Sequence, residues 1–181
     1  MTAREELLQL VPPPADVVAD IDWERVEDEL DISLPDDYKW LAERYGSGSF
    51  DQFMTILHPS SRFYPTRLVD AAERAAELLE QMPESLQKKV PYEIESLLAV
   101  GNTDNGDTIY WITDPEDDPN AWTVTANGAR NTKWPHFEGG IVEFLVAILS
   151  KATRMDVFPS DFPHPHPVFT PDPDPSALRR R

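Results

Sequence analysis

Apolar residues recur at helical spacing in several separate stretches of the chain, and each is bounded by its own stop signal. Leu7, Leu8 and Val11 share one side of a segment that opens on Thr2 and Glu5, the spacing of a capping box, and stops at Pro12-Pro13-Pro14. Asp16 to Asp20 fits either a further turn of helix or an extended lead-in. Trp23, Val26 and Leu30 form a second stripe with Asp22 as its N-cap, and Tyr38, Leu41, Ala42 and Tyr45 form a third. Between these two, Asp31-Ile32-Ser33-Leu34-Pro35 predicts a tight corner, since proline is tolerated in a first helical turn. Asp36 and Asp37 then sit near the positive end of the next helix, and Gly46 closes it.

Further along, FDQFMTIL over 50–57 reads as a first strand. A long helix is expected over 66–81, with Leu68, Ala71, Ala72, Ala75, Leu78, Leu79 and Met82 inward and Glu73, Arg74, Glu77 and Glu80 in water; Pro83 ends it. Residues 84–89 fit one more helical turn. Leu97–Val100 and TIYWIT over 108–113 are strands joined through Asn105-Gly106, a strong hairpin signal because both residue types tolerate positive φ. An acidic loop over 114–120 leads to a third sheet element at Trp122–Thr125, turned at Asn127-Gly128. Residues 141–152 form an amphipathic helix with Ile141, Phe144, Leu145, Ile148 and Leu149 inward. From Val157 the periodicity vanishes into a Pro- and Asp-rich run, expected to be extended or disordered, with Phe158, Phe162 and Phe169 able to pin parts of it to the domain. The chain thus divides into an N-terminal helix and lead-in over 1–21, a domain over 22–152, and a tail over 153–181. The order of elements predicts an α+β fold with a small, mostly antiparallel sheet packed against helices on one side.

Charge narrows the function. The 181 residues carry a formal net charge of −17. A field of that sign repels nucleic-acid phosphates and anionic membrane surfaces and favours a basic protein partner. No cysteine is present, which removes disulfides, thiolate metal sites and cysteine nucleophiles. The N-terminal residues do not read as a secretory signal and no run is long enough to span a bilayer, so a cytoplasmic location is expected.

Candidate chemistry is thin. Asp104, Asp107, Asp114, Glu116, Asp117 and Asp118 could hold a metal or supply a general acid and base, but their spacing does not fit a calcium loop, and solvated turn residues explain them better. His164 and His166 are two apart in HPHP, a weak metal grip at most; His58 and His136 read as structural. Ser60-Ser61 lacks a nucleophile elbow, and Gly46–Ser49 comes after a helix rather than opening one, the wrong order for a phosphate cradle. Arg179–Arg181 is a short basic end. Trp111 belongs in the core; the pattern does not place Trp122 and Trp134, which could form a protein-binding patch if exposed together.

The corner and the later strands and helix resemble a known family. WERVE, then LPDDYKWLAERYG, with Leu34-Pro35, Tyr38-Lys39, Leu41 and Tyr45-Gly46, is similar to the opening of the SUKH superfamily, the Smi–Knr type of domain. Leu98–Val100, Gly106–Trp111, Trp134 and Phe144-Leu145 come in the expected order, so the resemblance spans roughly Asp22 to Lys151. It departs at Asp31, where the family usually has glycine, and in the long tail. The resemblance implies the same α+β architecture and no catalytic residues. It also implies a non-enzymatic, protein-binding role, because bacterial members are similar to immunity proteins that neutralise toxins, often nucleases, while fungal relatives resemble regulatory scaffolds. The expected partner is a basic toxin domain, with no cofactor and no metal. The expected contact residues are Asp36, Asp37, Asp104, Asp107, Asp114, Glu116, Asp117, Asp118 and Trp122. The alternatives are a scaffold that offers its Pro-rich tail to aromatic-lined grooves, and a metal-dependent hydrolase built on residues 104–118.

Overall fold

The computed structural model describes residues 1–17, 20–129, 132–174 and 176. Residues 18–19 of the lead-in, the chain beyond the Asn127-Gly128 turn at 130–131, and the basic end at 179–181 lie outside the described residues. Helix α1 (Ala3–Leu10) carries the expected capping box, with Thr2 accepting from the Glu5 N–H and Glu5 accepting from the Thr2 N–H. Helices α2 (Trp23–Leu30) and α3 (Asp36–Tyr45) form the expected corner. Asp22 caps α2, and Asp31 sits at the turn with φ 54 and ψ 34, in the left-handed region. Aspartate is one of the few side chains that visits this region, which is how the chain does without a glycine there. Glu27 ties the corner shut. Its carboxylate accepts from the Leu34 N–H at 2.7 Å and pairs with Lys39 at 2.6 Å.

Among the described residues seven strands form one antiparallel sheet: β1 (Gly48–Phe50), β2 (Met54–Ile56), β3 (Leu97–Thr103), β4 (Thr108–Ile112), β5 (Thr123–Asn127), β6 (His136–Phe137) and β7 (Phe169–Pro171). Their spatial order is β6-β5-β4-β3-β2-β1-β7. With α4 (Leu68–Glu80), a short α5 (Glu84–Gln87) and α6 (Ile141–Leu149), the fold is α+β. Cross-strand partners share a face, so the register sorts the side chains. Trp111 pairs with Leu98 and Val124, whereas Tyr110 pairs with Ala99 and Thr125. The Trp111 face holds the core: Tyr38 meets Trp111 edge-on at 4.9 Å, and Phe144 of α6 meets Phe137 at 5.7 Å. The Tyr38 hydroxyl, wholly buried, donates to the Leu57 carbonyl at 2.7 Å. On the other face Tyr110 packs against Trp134 at 5.6 Å, and α4 lies alongside. Helices therefore flank both faces rather than one.

One expectation about a single element needs correcting. The run over 50–57 is not one strand: Asp51 and Gln52, both with φ 53, turn it into the hairpin β1–β2. The tail takes the extended one of its two expected forms, pinned through Phe158, Phe162 and Phe169. Phe169 pairs with Phe50 and Pro171 with Gly48, so the tail supplies an edge strand, and Phe169 packs on Tyr45 at 5.3 Å and on Phe50 at 5.0 Å. A Cβ on Gly48 would stand 2.4 Å from the Thr170 carbonyl and 2.6 Å from the Phe169 ring, so only glycine admits the strand at that distance. Phe158 is buried and Phe162 half-buried against Phe53. The turn and the course of the tail share a cause. The Asp51 carboxylate accepts the Val168 N–H at 2.8 Å and the His164 N–H at 2.9 Å, so the tail itself holds the turn.

Candidate partner-binding surface

The nine expected contact residues divide three ways. Asp114, Glu116, Asp117 and Asp118 are exposed on the connection between β4 and β5. Among the described residues none of the four joins an ion pair. Local geometry holds this connection in place. The Trp122 indole N–H donates to the Pro115 carbonyl at 2.8 Å, and the loop closes in a turn of 3₁₀ helix over Pro119–Ala121. Asn120 then locks it to the start of α3 through two reciprocal bonds: the Asp36 N–H donates to Asn120 Oδ1 at 2.8 Å, and Asn120 Nδ2 donates to Asp36 Oδ2 at 3.1 Å. Asp36 thus joins the loop, and five carboxylates share one end of the sheet.

Asp104 is exposed too, but at the β3–β4 turn, the far end of β4. About 15 Å of strand separates it from Asp114. The acidic residues of 104–118 therefore do not converge, and a single acid–base or metal site drawn from both ends is not formed. Among the described residues no three metal-ligating side chains are grouped to hold an ion.

Three of the nine point inward, which corrects their expected role. Asp107 is 4% exposed; its carboxylate accepts the Thr103 hydroxyl at 2.7 Å and the Ala129 N–H at 3.3 Å, bracing the hairpin. Trp122 is 2% exposed and packs on Trp111 at 5.8 Å. Trp134 lies on the opposite face, so the tryptophans make no common patch. Asp37 accepts the Val142 N–H at 3.1 Å, serving the unpaired donors at the start of α6. Burial pushes the Asp37 carboxyl above its usual range, against the pull of these backbone N–H groups. Charge suggested Asp37 and Asp107 as contact residues, and a possible aromatic patch suggested Trp122. What the sequence held instead was geometry: an aspartate one residue past a hairpin glycine, and a tryptophan seven residues past a proline carbonyl.

His58 is structural as expected, with 7% exposure. Its Nδ1 accepts the Ser60 N–H at 3.1 Å, and Nε2 lies 3.2 Å from the Ala42 carbonyl, which assigns the proton to Nε2. Burial holds its pKa below the ordinary histidine value. His136 Nε2 lies 2.9 Å from the Thr123 hydroxyl, and His164 Nδ1 is 3.7 Å from the Asp51 carboxylate.

The arrangement is a fixed acidic edge on a helix-flanked antiparallel sheet. The SMI1 / KNR4 family (SUKH-1) matches residues 18–142, well over half of the chain, and the chain belongs to that family. No curated protein matches it. Among the described residues no helix is long and apolar enough to cross a membrane.

Proposed function

We propose that this chain is a non-enzymatic protein-binding module, an immunity protein that neutralises a basic bacterial toxin domain, of which a nuclease is one kind, by covering its active cleft. The observation that carries this reading is the pinned acidic edge. Four exposed carboxylates without a cationic partner among the described residues stand on a loop fastened by Trp122–Pro115 and Asn120–Asp36. Exposed like charges held in one place raise the rate of encounter with an oppositely charged surface, and a preformed loop loses little freedom when it binds. A nuclease cleft that takes in phosphates is basic, and a covering edge of this kind mimics its substrate's charge. Membership of the SUKH-1 family is consistent with the reading.

The test is co-expression with each toxin domain encoded beside the gene, scored by survival and by co-purification. Neutralising the edge together (Asp114→Asn, Glu116→Gln, Asp117→Asn, Asp118→Asn) should slow association roughly tenfold at low salt and leave the fold intact. Unprotected cells with every neighbouring toxin would reject the reading.

A further inference from the structure

The end of helix α6 and the first part of the tail enclose a small pocket of about 110 Å³. Local chain geometry makes it. Lys151 takes φ 65, in the left-handed region, and the Thr153 N–H returns to the Ala147 carbonyl at 3.0 Å, so the helix stops and the chain doubles back. Glycine is the usual residue at such a helix end, and here the position holds a lysine that lines the pocket. Buried Ile148, Met155 and Phe158, with half-buried Phe162, give the pocket its apolar lining. Phe53 holds the two phenylalanines in place, at 6.3 Å from Phe158 and 4.6 Å from Phe162, so the lining is formed before any ligand arrives.

The charge here is the reverse of the chain's. Acidic residues outnumber basic ones 33 to 16, yet the charged residues lining this pocket are Lys151 and Arg154, with no carboxylate beside them. Thr153 and Ser160 add hydroxyl groups. Among the described residues neither cation joins an ion pair. The carboxylates nearest in sequence are placed elsewhere: Asp156 pairs with Lys133 at 3.6 Å, and Asp161 is exposed without lining the pocket. The carbonyl end of a helix favours cations, which accounts for the charge but not for the apolar hollow next to it. We infer that this pocket binds a small organic carboxylate, its anionic head between Lys151 and Arg154 and a short apolar body on Met155, Phe158 and Phe162. Charge-assisted bonds fix the head, and burial of the body adds affinity. A bound ligand of this kind joins α6 to the tail. The pocket shares no residue with the acidic edge, so the inference stands apart from toxin neutralisation.

The experiment titrates the isotope-labelled full chain with hexanoate, hexanamide and acetate, following amide shifts by NMR. It is run at about 0.15 M salt, where the field of distant carboxylates is largely screened. Hexanoate should saturate with a Kd on the order of 1 mM, within reach of so small a ligand. The shifts should centre on residues 148–163. Hexanamide keeps the body without the charge, and acetate keeps the charge without the body; each should bind roughly tenfold more weakly than hexanoate, or weaker still. Lys151→Gln and Arg154→Gln should each remove most of the preference for hexanoate over hexanamide. Both side chains are exposed, so their replacement leaves folding intact, as a thermal melt will show. Equal affinity for hexanoate and hexanamide, shifts centred elsewhere, no saturation by any of the three, or an undiminished preference in both folded variants would overturn the inference.

Discussion

Two hairpin turns in this sheet do the same geometric job by opposite means. The β3–β4 turn is made by its own residues: Gly106 takes φ 85, and Asp107, one residue on, bonds back to Thr103. The β1–β2 turn has neither glycine nor asparagine. Asp51 and Gln52 adopt φ 53 against their preference, and what holds them is a segment more than a hundred residues away, through the Asp51 bonds to His164 and Val168. One turn is self-sufficient, and the other is imposed by tertiary contact. A local strain of about 1 kcal/mol per residue is readily outweighed by charge-assisted bonds at a buried carboxylate.

The contrast can be broken most severely at Asp51. Asp51→Ala strips the acceptor from two backbone donors and should cost about 3 kcal/mol, with loss of hydrogen-exchange protection in both β1 and β7. Chemical denaturation with exchange mass spectrometry reads both effects; protection lost in β1 alone would show that the tail does not depend on this residue. The glycine test is smaller and has opposite signs at the two turns. Gly106→Ala should destabilise by about 1 kcal/mol, whereas Gln52→Gly should stabilise by about 0.5–1 kcal/mol, because only the second removes strain. Destabilisation by both would mean that the Gln52 side chain contributes more than its backbone strain costs.

His58 gives the mildest test, since its ring bonds once to a near neighbour, Ser60, and once to remote Ala42. Its folded pKa is lowered by burial, so the neutral ring is the form the fold favours. Its contribution is therefore intact above the unfolded value of about 6.5 and is lost as pH falls through the folded value. His58→Gln should flatten the stability profile on the acid side of that point, measured by denaturation midpoints between pH 7 and pH 5 at about equal salt. An unchanged slope would assign the acid loss to other groups.

The same division explains what could be read in advance. The α2–α3 corner was legible because its devices lie within a few residues: Asp22 capping α2, the Asp31–Pro35 break ahead of α3 and Gly46 closing it; the left-handed turn at Asp31 itself was not read from the sequence. The Asn105-Gly106 hairpin and the inward face of α6 were legible for the same reason. The β1–β2 split and the strand at Phe169–Pro171 were not, since a Pro-rich run gives no periodicity and its partner lies far away in sequence. Among candidate contact residues, charge alone identified the exposed edge at Asp114–Asp118, but could not separate it from Asp37 and Asp107, whose carboxylates serve the backbone inside. Leu78, 58% exposed rather than inward, misled in the other direction: spacing gives the width of an apolar stripe and says nothing about how much of it the rest of the molecule covers.

The fit of Phe169 and Thr170 over Gly48 ties two distant positions into a single hereditary unit. The residues that form this added edge strand lie beyond the stretch matched by the family, whereas Gly48 lies within it. A descendant that discards the strand releases position 48 to other side chains, and one that retains it must keep glycine there. Among relatives, the residue at that single position should reveal whether the strand is present.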